Sequence, residues 1–466
     1  MDNTINPLDV ISKAEKLRGE LSPDFRDDII HSIYGEAEKI AQRSVKQLTE
    51  KNYDFDQKVD RIVTSPIIGL PIMLALLALI IWVTVSGANV VTSWISSILF
   101  PVGDWGIYWF GQANIPWYIT GFLFDGVYRA MAWIVAVMLP PMAIFFPAFT
   151  LLEDLGYLPR VAFNMDWLYK KAGSHGKQSL TMAMGFGCNA AGVISTRIID
   201  SPRERLIAIL TNNFVPCNGR FPTLIMLATV FVAASFSPVW TSIIAATTVV
   251  GVVLLGVIFT LVISWALSQT ILKGQASAFT LELPPYRRPN VLRILYTSLV
   301  DRTIFVLGRA LTTAVPAGAL IWLLANINIG TTSLATLMAN WLQPFGYALG
   351  LDGVIILAYI IAIPANEIVV PTMMMMYIGT GMMVNGPTSG EEIRSLLMGA
   401  NGWTMLTVVN LMLFALLHNP CGTTIMTIYQ ETKSVKWATW SVVITLGTAI
   451  LVTFTTATIA RLAGWV

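Results

Sequence analysis

Charge is what this chain has least of: 12% of its 466 residues are Asp, Glu, Lys or Arg, against 55% hydrophobic residues. A soluble domain carries roughly 25% charged residues, so the shortage, with a mean hydropathy of +0.66, excludes an ordinary soluble fold. It points to an all-α polytopic membrane protein whose first partner is the lipid bilayer. A net charge of +2 supplies no basic surface for nucleic acid, and no nucleic-acid partner is expected. Three cysteines are too few for a disulfide framework. The first residues, MDNTINPLDV, hold no basic region followed by an apolar core, so no cleaved signal peptide is expected. Catalytic signatures are missing too. The stretch GSHGKQS at Gly173–Ser179 places two residues between its glycines, where a phosphate loop needs four so that its amides can encircle a phosphate. Neither a Ser-His-Asp arrangement nor an HExxH pair is present, so the chain does not read as an enzyme.

The few charges are unevenly placed. Of 56 charged residues, 23 lie in the first 62 positions, which net −3 and leave +5 for the rest. A cytoplasmic helical segment (1–62) therefore precedes a membrane region. Ser22 is a candidate N-cap with Pro23 at the first helical position. Ile30, Ile33, Tyr34, Ala37, Ile40 and Ala41 recur at helical spacing as one apolar stripe. That stripe is too small for a domain and should pack on another helix, another protein or the membrane part.

Crossing a hydrocarbon core takes about 20 apolar residues. Uncharged or nearly uncharged runs of that kind start at Ile67 to Val85 and Met131 to Leu152. Leu206 to Thr270, long enough for two spans joined near SFSPVW, carries Arg220 alone; Ile304 to Ala325, Trp403 to Gln430 and Ala438 to Ala460 follow. They make seven crossings. Ser179 to Ile194 and Val354 to Met376 have polar breaks in the middle and read as re-entrant hairpins. Cytoplasmic loops are enriched in Lys and Arg. The first external loop has none before Arg129, and Asn326 to Asp352 has none at all. Arg160, Lys170, Lys171, Lys177, Arg203, Arg205, Lys273, Arg287, Arg288, Arg293, Lys433 and Lys436 mark the inside, together with the N-terminus. The order is then a first span and external loop (63–128), a first repeat (129–272), a cytoplasmic linker (273–302) and a second repeat, inverted with respect to the first (303–466).

Both repeats are interrupted by thiols. GFGCNAAGV at Gly185–Val193, FVPCNGRFP at Phe214–Pro222 and HNPCGTT at His418–Thr424 contain all three cysteines. Pro216 and Pro420 each remove a backbone donor and free an upstream carbonyl, and Gly219 and Gly422 let the chain turn. Irregular backbone survives at membrane depth only where protein or a polar cavity covers it, so these breaks should face each other. Paired inverted repeats with discontinuous helices are the sequence pointer to a transporter core with a midplane site. That reasoning puts Cys188, Cys217 and Cys421 on the cavity wall. Glu367, in IPANEIVVP, is the sole charge between Asp352 and Glu391, and an ionisable group at that depth costs at least ~2.5 kcal/mol, so it reads as functional. Asn189 and Asn366 sit at the hairpin tips as half-helix caps or oxygen ligands, and Asn218 follows Cys217 at the break. Soft sulfur with carboxylate and carboxamide suits a divalent transition metal better than Mg²⁺ or Na⁺. Buried free cysteine is also a common small hydrophobe, MMMM at Met373–Met376 must be mostly packing, His175 lies in a basic loop and reads as solvated, and His418, one turn before Cys421, is a weak ligand candidate.

The same residues carry a family resemblance. LLEDLGYLPRVAFNMDWLYKKAGSHGK, GFGCNAAGVISTRIIDSPRERLIAILTNNFVPCNGRFP, ELPPYRRP and NPCGTTIMTIYQETKSVKWA closely resemble the membrane part of the bacterial ferrous iron transporter B family. The resemblance runs from about Ser22 to the C-terminus. It implies import of Fe²⁺ as transported substrate across the cytoplasmic membrane through two gate repeats, with no permanently bound cofactor. It also implies that Cys188, Cys217 and Cys421 lie along the iron path and that Glu153, in the EDLGY motif, is another matching position. Family members begin with a GTP-binding domain, whereas this chain starts at what resembles the tail of the helical segment joining that domain to the membrane. A separate GTP-binding protein docked on the N-terminal helices, a truncated polypeptide and transport without GTP are the three readings this leaves, and a homo-oligomer is a further expected state. Two other functions compete: a membrane metal sensor or G-protein-docking module that does not transport, and a gate-fold carrier of a nucleoside-like solute.

Overall fold

The computed structural model describes residues 25–44, 53–65, 67–234, 238–274, 285–330, 332–378 and 390–464. Ser22, Pro23, the first half of SFSPVW and the start of ELPPYRRP lie outside them. Apart from one two-residue antiparallel pairing, β1 (Asn328–Ile329) with β2 (Thr332–Ser333), the regular elements are helical, as an all-α membrane protein requires.

Two helices precede the membrane part, α1 (Phe25–Ser44) and α2 (Tyr53–Val63). The apolar stripe of α1 finds no cover within the described chain: Ile33 and Ile40 are exposed. The end of α2 is fastened instead by polar contacts. Asp60 takes a two-pronged bond from Arg160 at 3.0 and 3.1 Å, Tyr286 donates to the same carboxylate at 2.8 Å, and Asn164 donates to the Val63 carbonyl at 2.8 Å.

The first membrane helix, α3, runs from Gly69 to Gln112, so most of the expected external loop after Val85 is helical. Its Ser, Gly and Asn residues break the apolar run without breaking the helix, since each costs at most about 1 kcal/mol in helix propensity; the helix continues even through Pro101. At its far end Arg129, buried, binds Asp104 at 2.8 Å and Asp125 at 3.2 Å, which fixes the return into α4 (Arg129–Asp154).

After α4 a left-handed Gly156, φ 82°, turns the chain into an amphipathic helix, α5 (Tyr157–Lys171). A hairpin follows, α6 (Gln178–Gly187) and α7 (Asn189–Ser195); then a broken helix, α8 (Pro202–Thr211) and α9 (Phe221–Leu227); then a long apolar helix, α10 (Pro238–Gln269). The second repeat has the same order. α11 (Phe305–Asn326) leads to amphipathic α12 (Leu334–Ala348), a hairpin of α13 (Gly353–Ile361) and α14 (Val369–Ile378), a broken helix of α15 (Met405–Leu417) and α16 (Gly422–Thr432), and a long apolar α17 (Val435–Leu462). The corner between α12 and α13 is bent by 109°. It requires Gly353, where any Cβ would collide with the Ala339 carbonyl, and Asp352 caps the new helix by accepting from the Ile355 amide at 2.7 Å.

Five of the described helical stretches are long and apolar enough to cross a membrane, and six if the bent α12–α13 pair is one span. The third of the seven expected crossings falls short: it is cut between Thr211 and Phe221 into pieces of 10 and 7 residues. The fifth lies in α11, a helix of 22 residues. The central core is built from both repeats: Phe145, Phe221, Leu224, Ile355, Val369, Met373, Leu411 and Phe414 belong to one buried cluster. Met373, Met374 and Met375 are all buried in it, so the methionine run is packing.

Candidate functional site

The interruptions fold into two matching devices. In the first, Cys188 is extended (φ −155°, ψ 125°) between α6 and α7; in the second, Ala365 has the same shape (φ −150°, ψ 112°) before the turn leading to α14. Asn189 and Asn366 therefore occupy equivalent places, one residue past each extended corner. Each corner is stitched to the broken helix of its own repeat by one backbone bond, Asn218 N–H to the Gly187 carbonyl at 3.4 Å and Gly422 N–H to the Ile363 carbonyl at 2.9 Å.

The two breaks face each other, as the need to cover freed carbonyls demands. Asn213 donates through its side chain to the His418 carbonyl at 2.9 Å. Arg220, 1% exposed, does most of the covering. Its Nη1 donates to the carbonyls of Asn213 and Leu416 at 2.7 and 2.8 Å, and its Nη2 to those of His418 and Asn419 at 2.9 and 3.3 Å. Four freed oxygens thus share one guanidinium, whose fixed fork of five donors suits the task better than an ammonium. Among the described residues no carboxylate pairs with it.

The asparagines do not cap helices. The Asn189 side chain meets that of Asn213 at 2.9 Å, its carbonyl accepts from Asn212 at 3.0 Å, and α7 has no side-chain cap. Asn366 points its carboxamide oxygen at His418 Nε2, 3.3 Å away. The reason is competition: an amide side chain facing another polar group across a closed seam is satisfied there and has no need of its own helix end. His418 is buried, with Nδ1 between the carbonyls of Phe414 and Ala415 at 3.0 and 2.9 Å and the ring against Tyr359 at 4.7 Å. Gly185 and Gly192 both abut the Asn212 carboxamide; a Cβ on either would sit 2.9 Å or less from it.

Cys217 is buried, whereas Cys188 and Cys421 are partly exposed. Cys421 lies 3.3 Å from the Thr424 hydroxyl. Glu367 is half-buried and rests against Gly219, where a Cβ would meet its carboxylate. Cys188, Cys217, Cys421 and Glu367 lie within Coulombic reach of one another. Among the described residues no three His, Cys, Asp or Glu side chains stand close enough to hold a single metal ion. Asn218 is 3% exposed, and its carboxamide nitrogen has no hydrogen-bond partner among the described residues. Glu153, by contrast, stands exposed at the end of α4.

Sequence reasoning missed Arg220 and Asn213. The signal for Arg220 was available, since a lone arginine inside an apolar run must face protein or a cavity. His175 is a second correction. Far from solvated, it is 5% exposed, accepts the Lys177 amide at 3.0 Å, and is pushed below the usual histidine range by burial.

Comparison with known proteins agrees with the expected resemblance. A family model described as Gate, nucleoside recognition, matches residues 135–231 and 307–435, and one described as ferrous iron transport protein B C terminus matches 249–300. The Fe(2+) transporter FeoB of Staphylococcus aureus strain MSSA476 is 28% identical over 96% of this chain and 66% of its own length. That of Campylobacter jejuni is 26% identical over 95% and 70%. A Porphyromonas gingivalis protein named as a fusion of Fe(2+) transport protein A and FeoB is 25% identical over 92% and 54%. The chain thus spans 66% of the length of the first of these relatives. No solved structure matches.

Proposed function

We propose that this chain, which belongs to the ferrous iron transport protein B family, carries Fe²⁺ across the cytoplasmic membrane through the seam between its two broken helices. The observation that supports this reading is the meeting of the two breaks, with thiols on both sides and Glu367 beside them. Cys188, Cys217 and Cys421 are the soft groups that favour Fe²⁺ over Mg²⁺ or Na⁺, and Glu367 is the anionic one. Spaced apart as they are, they act as successive stations and not as one chelate. Asn189, Asn218 and Asn366 line the same path with amide groups, and Glu153 serves its exposed end.

In this reading the N-terminal helices lie in the cytoplasm, where the exposed stripe of Ile33 and Ile40 offers a docking face for a GTP-binding protein. Transport itself requires no nucleotide chemistry from the residues of this chain. The nucleoside-like alternative is favoured by one observation, the description of the Gate model, and the same assay separates the two.

The test is anaerobic uptake into proteoliposomes containing only this chain, with and without a proton gradient. Fe²⁺ is compared with Mn²⁺, Zn²⁺ and a nucleoside. Saturable Fe²⁺ uptake is expected; nucleoside uptake with none of the metals transported would overturn the reading in favour of the alternative.

A further inference from the structure

The linker motif PYRRP, which the transport path leaves unused, forms one wall of a separate cavity. Its volume is about 520 Å³, and its walls include Arg287, Arg288 and Arg293 from the linker, with Asn290, Thr150 and Asp154. Small-molecule sites commonly fall between roughly 300 and 1,000 Å³. Three guanidiniums against one carboxylate leave a surplus of two positive charges, and among the described residues none of the three arginines makes an ion pair.

The cavity is held in place. Tyr286, the residue before Arg287, is clamped by the Asp60 carboxylate at 2.8 Å and by the Arg160 guanidinium 4.1 Å above its ring. Asn290 caps the following helical turn by accepting from the Arg293 amide at 3.3 Å. That turn continues as a helix whose inward residues, Ile294 and Ser298, are buried while Leu292, Leu295 and Tyr296 are 81%, 41% and 63% exposed. Those three sit at i, i+3 and i+4, so one face of the helix is apolar and uncovered directly beside the arginines.

We infer that this cavity is a site for the phosphate of an anionic phospholipid. The arginines, whose planar forks match phosphate oxygens, take the headgroup, and the acyl chains lie along Leu292, Leu295 and Tyr296. A basic pocket at the cytoplasmic end of membrane helices is the expected form of such recognition. Free phosphate shares the headgroup chemistry, but it has no use for the apolar face, and that face decides for the lipid. The site lies away from the breaks and does not depend on which solute crosses there.

The full chain, purified in neutral detergent, is titrated with phosphatidylglycerol or phosphatidylcholine and read by native mass spectrometry, with inorganic phosphate as a separate arm read by thermal shift. Wild type is expected to retain phosphatidylglycerol preferentially and to lose it as salt rises. Replacing Arg287, Arg288 and Arg293 together by Gln should weaken retention on the order of 100-fold, Arg293→Gln alone by less, and Lys436→Gln, away from the cavity, not at all. Equal retention of the two lipids by wild type, or salt-insensitive retention, overturns the site even if the triple variant does not fold. Protection by inorganic phosphate without lipid preference overturns the lipid assignment.

Discussion

The guanidinium of Arg220, in the first repeat, donates to the carbonyl of His418, in the second, at 2.9 Å. The carbonyls freed by the break before Pro420 are therefore satisfied across the seam and not within their own half. Replacing Arg220 by Met leaves several buried carbonyls without a donor, at about 1–3 kcal/mol each. Thermal unfolding in detergent should show a loss of at least ~3 kcal/mol, and Lys at this position should recover only part of it. An unchanged melting temperature in the Met variant would show that water replaces the guanidinium.

Gly219 and Gly422 follow the two break cysteines by two residues and by one, and their surroundings differ. A Cβ on Gly219 would stand 2.8 Å from the Glu367 Cδ, whereas one on Gly422 meets nothing closer than 3.7 Å. Because Glu367 is a flexible side chain, Gly219→Ala should preserve folding and displace the carboxylate, lowering Fe²⁺ uptake by about tenfold, equivalent to roughly 1.4 kcal/mol. Gly422→Ala should transport normally. Equal behaviour of the two variants would sever Glu367 from the path.

Cys217→Ser and Glu367→Gln should each reduce Fe²⁺ uptake several-fold while membrane insertion, read by the yield of folded protein, stays the same. Full uptake in both would remove the proposed stations; loss of folded protein would assign them to packing.

The Tyr286 clamp gives a pH dependence with a definite sign. Burial first, then the hydrogen bond to Asp60, pushes its phenol up from 10.0 to about 12. The folded state therefore holds a proton that the unfolded chain releases sooner. The contribution of the clamp is complete below pH 10 and is lost as pH rises from there through about 12. Hydrogen exchange at residues 53–63 should accelerate over that window in wild type. In Tyr286→Phe it should be fast already at neutral pH, and slow exchange there would mean that Arg160 alone holds α2.

The hairpins and broken helices were legible because a membrane helix has few reasons to contain Pro, Gly and a carboxamide together: FVPCNGRFP and HNPCGTT mark real interruptions. What the residues do at them was less legible. Asn189 and Asn366 look like caps in one dimension, and only the fold brings Asn213 and His418 within their reach. His175 looks solvated among lysines, yet the chain folds over it. The helix beyond Val85 was hidden by its polar residues, which tilt a hydropathy reading toward loop although a helix tolerates them.

The repeats share a backbone but not its decoration. Three residues past each break cysteine the first repeat has Arg220 and the second has Thr424, whose hydroxyl lies 3.3 Å from the Cys421 sulfur. The two breaks are thus electrically unlike: one brings the Arg220 guanidinium to the seam and the other brings a neutral hydroxyl. A cation on the proposed path therefore meets unlike electrostatics at the two breaks, a guanidinium at one and a hydroxyl at the other.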